Sequence, residues 1–118
     1  MKMKKVFTIK REEQREVEYN LPLYLQPNQF TCVAILDEEQ HLKCSVYEKW
    51  RVSEEQELQH SVYIHCAPDK YEVNKLLEEF FSGNSKEITP EEFDAFYFNA
   101  RKLVAVQFNK LDDNALPE

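Results

Sequence analysis

A single glycine, Gly83, serves the whole 118-residue chain, and that scarcity limits what its turns and loops can be. Two-residue hairpin turns of the primed types need positive φ and favour Gly or Asn, and the three proposed hairpin tips of this chain contain neither. The joining segments instead carry Glu-Glu-Gln at 12–14, 38–40 and 54–56, which predicts longer tips built on type I turns that most residues tolerate. The flanks of the three tripeptides do not match, so they are not a sequence repeat. Phosphate cradles and dinucleotide fingerprints depend on several glycines, so P-loop and Rossmann sites are excluded.

Gly83 falls where a helix would end. From 69 to 83 an Asp69/Glu72 capping pair precedes a stripe of Val73, Leu76, Leu77, Phe80 and Phe81, and a left-handed C-terminal cap commonly needs glycine. Residues 88–111 carry more agreeing helix signals than any other stretch. Thr89 is placed to cap the first turn, Pro90 suits a position that needs no donor, and Glu92 completes a capping box. Ile88 and Phe93 are spaced as a hydrophobic staple. Phe93, Phe96, Tyr97, Ala100, Leu103, Val104, Phe108 and Leu111 share one helical arc, broken by Gln107. The opposite side is charged but also holds Phe98 and Val106, which predicts a second apolar contact and leaves a homodimer open beside a monomer. The tail, 112–118, is acidic and unpatterned, and is expected to fray from a single domain spanning 1–111.

Between the start and the first helix the period is two. Residues 4–10 and 15–21 alternate as a hairpin, with Ile9 set against Val17, Phe7 against Tyr19 and Lys10 against Glu16. Two prolines make 20–29 a connection, along an edge if anywhere in a sheet. An apolar run at 30–36, an alternating stretch at 41–52 and another at 58–66 complete about five strands. The fold class is α+β: an antiparallel meander of about five strands with two C-terminal helices packed on one face, the face holding Cys32, Cys44, Cys66, Val46, Val62 and Ile64.

Charge and cysteine content bound the function. Fifteen Lys and Arg against twenty-two Asp and Glu give a net charge of -7, a field that opposes non-specific nucleic-acid binding. No signal-peptide pattern and no membrane-spanning run is visible, so a cytoplasmic protein with no membrane partner is expected. Cys32, Cys44 and Cys66 sit in apolar strand-like segments and are expected reduced and buried. Three cysteines and three histidines lack any paired ligand spacing, so neither metal nor other cofactor is expected. No serine elbow exists, and the His65–Cys66 neighbours point to opposite faces of a strand, so no catalytic residue is assigned. In size and charge the chain resembles small acidic accessory proteins of bacteria and phages, with no family motif to match residue by residue.

The surface with most chemistry is the outer face of the second and third hairpins. With Cys44 opposite Cys66, Tyr47 lies opposite Tyr63 and Ser45 opposite His65, edged by Lys43, Lys49 and Arg51. Tyr47, Tyr63, Lys49, Arg51 and His65 are the candidate binding residues. Rigid amphipathic rings of this kind are enriched at protein interfaces, so a non-catalytic protein-binding or regulatory module is the leading expectation. Single-stranded nucleic acid, which uses stacking platforms edged by cations, is the alternative and a small enzyme the third.

Overall fold

The run Thr-Cys-Val-Ala-Ile at Thr31–Ile35 is buried at every position, and a strand without a solvated side requires cover on both faces. It lies at the centre of the sheet. The computed structural model describes residues 2–10, 13–49, 53–55 and 58–115. In chain order the elements are Lys2–Lys10 (β1), Glu13–Asn20 (β2), Leu23–Asn28 (β3), Thr31–Ile35 (β4), Gln40–Glu48 (β5), His60–Pro68 (β6), Lys70–Phe81 (α1), Lys86–Glu87 (β7) and Pro90–Ala115 (α2). A five-stranded antiparallel sheet runs in the order β6-β5-β4-β3-β7, and β1 pairs with β2 in a separate ribbon. The two C-terminal helices pack against the sheet, which makes the fold α+β as the periodicity implies.

Alternation along β4 assigns the two covers. Val33 and Ile35, with Leu23 and Leu25 of β3, meet Val73, Leu76 and Leu77 of α1 and Phe7, Val17 and Tyr19 of the ribbon. Cys32 and Ala34, with Cys44 of β5, meet Ile88, Phe93 and Ala100. Only α2 therefore lies on the face assigned to both helices, and α1 lies on the other. The reason is the apolar second face of β3 and β4, which one helix layer cannot reach.

Ring packing holds the ribbon down. Phe81 of α1 sits 5.6 Å from both Phe7 and Tyr19, and Lys5 of β1 reaches Asn74 of α1. The outward pairs Lys2–Glu18 at 3.2 Å and Lys4–Glu16 at 2.9 Å are exposed, and such pairs contribute little. Lys5 faces Val17 and Phe7 faces Arg15, so the expected partners are displaced along the strand. β2 begins at Glu13, inside the segment read as a loop at 11–14, of which 11–12 lie outside the described residues, and an irregularity falls between Thr8 and Lys10. The displacement is an even number of residues, so the buried side keeps its membership.

Residues 20–29 are not a connection, since β3 pairs with β4 on one side and β7 on the other. Pro27 is tolerated because the register breaks between Leu25 and Asn28, where no continuous ladder needs its missing donor. Both helix starts follow the sequence. Asp69 accepts from the Glu72 amide at 3.0 Å, and Thr89 and Glu92 cap each other reciprocally at 3.1 and 3.3 Å. Gly83 takes a φ of 84° after α1. From the edge of β3, α2 crosses the sheet to β6, where Gln107 Nε2 donates to the His60 carbonyl at 2.6 Å. The polar break in the apolar arc is thus the contact with a strand edge. Beyond it the helix runs past Leu111 to Ala115, while 116–118 lie outside the described residues.

Candidate functional site

The odd-numbered residues of β5 and β6 face the side of the sheet that carries α1. Their register pairs Lys43 with His65, Ser45 with Tyr63 and Tyr47 with Ser61. The expected Tyr47–Tyr63 and Ser45–His65 pairings are therefore displaced by one same-face step, because Cys44 lies opposite Ile64 and Cys66 opposite Leu42. Cys32 does lie opposite Cys44. The face composition survives the correction, since an even displacement changes partners and not sides.

The displacement staggers the two tyrosines along one cleft instead of stacking them. The cleft, of about 510 Å³, lies between β5, β6 and α1. At its floor the Thr31 and Ser45 hydroxyls, both buried, hydrogen-bond to each other at 2.8 Å. Neither is an orphaned polar group seeking a ligand. Tyr47 and Tyr63 line the sheet side while remaining 42% and 50% exposed. Phe30 supports Tyr47 at 5.1 Å between ring centroids, and His65 stacks on Tyr63 at 5.9 Å with 18° between planes. Each tyrosine thus has one face held and the rest open.

From α1, Glu72, Lys75, Leu76 and Glu79 form the opposite wall. Their helical spacing puts them on one side of α1, but the spacing carries no signal of which sheet face that side meets. Lys43 sits 4.0 Å from Glu72, so the cleft is mixed in charge. Lys49 is exposed just past the end of β5, its amide donating to the Gln59 carbonyl at 2.8 Å. Arg51 lies outside the described residues.

Behind the cleft is one perturbed group. His41 is 1% exposed, its ring 5.7 Å from that of His65, and its Nδ1 has no hydrogen-bond partner among the described residues. Burial holds the imidazole below its ordinary 6.5, opposed by Glu72 and reinforced by His65. On the other face, burial pushes the Cys32 thiol up to about 12, with Cys44 and Glu92 adding to it, and Cys44 to about 11. These thiols are poor nucleophiles. Cys66, expected buried, is exposed because β6 is the edge strand and Cys66 lies near its end. Among the described residues no three His, Cys, Asp or Glu side chains are grouped to hold a metal ion, and no helix is long and apolar enough to cross a membrane.

Phe98 and Val106 are brought nowhere near the cleft. They lie on α2, 68% and 46% exposed, and Phe108, read as part of the buried arc, is 61% exposed. Position 108 follows the Gln107 contact at β6, the last strand on that side. Compared with protein-family models, characterised proteins and solved structures, the chain matches none.

Proposed function

We propose that the chain is a non-catalytic protein-binding module of the cytoplasm, and that its partner seats a polypeptide segment in the Tyr47–Tyr63 cleft. The observation that carries this reading is the pair of half-exposed tyrosines, each braced by a second ring, on the wall of an open cleft whose floor hydroxyls are already satisfied. Braced rings lose little side-chain freedom on binding, and this is why aromatic anchors dominate interface energetics. Two lysines, Lys43 and Lys75, and two glutamates, Glu72 and Glu79, line the cleft, which suits the mixed charge of a polypeptide.

Nucleic acid is the weaker reading. Glu72 and Glu79 stand on the wall a phosphate chain would follow, and Glu72 already lies 4.0 Å from the Lys43 ammonium. Salt separates the two, because phosphate contacts release counterions and make affinity fall steeply as salt rises. The test is to titrate the partner isolated from the native host, and separately a single-stranded oligonucleotide, at about 50 and 200 mM salt. A protein partner should change affinity by less than about threefold, and the oligonucleotide should not bind measurably. Tight oligonucleotide binding that collapses between these salt concentrations would overturn the reading.

A further inference from the structure

The outer edge of β6 is built unlike the other strand margins of this chain. Hydrogen bonds from the Lys49 amide to the Gln59 carbonyl and from the Asp69 amide to the Glu39 carbonyl fix the phase of the β5–β6 ladder. Odd-numbered residues of β6 spend their backbone groups on β5, so the amides and carbonyls of Val62, Ile64 and Cys66 point away from the sheet. None of them has a backbone partner among the described residues outside the paired strands. Natural sheets blunt such edges with lysine, proline, bulges or brevity. The opposite edge is the two-residue, charged β7, and the ribbon carries alternating Lys and Glu. By contrast, β6 reads His-Ser-Val-Tyr-Ile-His-Cys-Ala-Pro, with neither lysine nor carboxylate and with no break in register against β5.

We propose that this edge pairs antiparallel with the same edge of a second copy, about a two-fold axis at Ile64, joining the two sheets into one. The register is self-complementary. Ile64 meets its own counterpart, and Val62 meets Cys66 of the second copy, each pair exchanging both backbone hydrogen bonds. On the α2 side these contacts are apolar, and Ile64 and Cys66 are exposed in the single chain. On the other side Tyr63 falls opposite His65 of the second copy, with no like charges opposed.

The end of the pairing provides an independent check on the axis. His60 would meet Pro68 of the second copy, which has no N–H to give. Among the described residues the His60 carbonyl is the one outward acceptor on β6 already supplied, by Gln107 Nε2 at 2.6 Å. Where the symmetric register lacks a donor, α2 furnishes one. This pairing does not depend on the cleft reading, because it uses a backbone row and not the wall of the cleft.

Sedimentation equilibrium on the full chain across a concentration series tests it, with amide hydrogen exchange measured on the same samples. The mass should rise from 14.1 kDa to twice that value, and the Val62, Ile64 and Cys66 amides should become protected in step. Ile64→Lys places two cations at the axis, and Ile64→Pro removes an N–H the β5–β6 ladder does not use; each should weaken self-association by about tenfold or more with the circular dichroism unchanged. If the proline variant fails to fold, the lysine variant and the exchange pattern of the unaltered chain decide. A single-chain mass at every concentration would overturn the proposal. So would a dimer in which those three amides exchange freely, which would move the interface to Phe98 and Val106, or a dimer indifferent to Ile64→Lys.

Discussion

Three cysteines of similar sequence context meet different fates because burial is decided by strand position. Cys32 and Cys44 face each other under α2 with their thiols held protonated by burial, and Cys66 lies on the edge strand in the open. In dilute solution, where the chain is single, a thiol reagent near neutral pH should therefore modify one cysteine quickly, and peptide mapping should find it at Cys66. Labelling of Cys32 or Cys44 at a comparable rate would contradict the packing of α2. His41 gives the second residue-scale test. Its folded-state pKa is lowered by burial while the unfolded chain takes the proton near 6.5, so its contribution is fully present above that value and is lost as pH falls through it. Between about pH 7 and about pH 5 the denaturation midpoint should fall in the native chain and fall less steeply in His41→Gln. Glu72, Asp69, Lys43 and His65 all act on this imidazole. Equal slopes in the two proteins would show that the ring gains its proton as easily folded as unfolded.

At the scale of elements, α2 is the part whose start and facing were most legible. Thr89, Pro90 and Glu92 announce its first turn in sequence and form it in space. Removing the cap by Thr89→Ala should cost about 1 kcal/mol. Phe93→Ala, at a buried position, should cost roughly 3–5 kcal/mol, while exposed Lys102→Ala should stay within about 0.5. Urea denaturation measures all three, and equal losses at positions 93 and 102 would deny the helix its facing. The strands were less legible, for a definite reason. Period-two alternation specifies which residues share a face but does not specify which pair sits opposite which, and turn length makes that choice. Hence the faces of Phe7, Val17 and Tyr19 were readable while their partners were not. Thr31–Ile35 did carry the sign of two-sided burial, an unbroken apolar run, and that run is what puts α1 on the second face. Gln107 looked like a flaw in an apolar arc, and only the neighbouring strand gives it a purpose.

The whole molecule divides one sheet between two covers. One side takes α2. The other shares α1 with a β-ribbon, and because the ribbon and α1 leave part of β5 and β6 uncovered, Tyr47 and Tyr63 remain in an open cleft. In the sequence the two tyrosines, His65 and the lysines could be placed on one face; the wall from α1 could not, since nothing in β5 or β6 says which helix lies above them. A mixed-charge wall also replaces the positive margin that the strands alone suggest. The most direct test of the binding role is calorimetric titration of the native-host partner against the unaltered chain and against the double variant Tyr47→Ala, Tyr63→Ala. Binding should weaken by more than about 2 kcal/mol, with cooperative two-state unfolding retained. Unchanged affinity in a folded double variant would contradict the assignment of the cleft as the binding site.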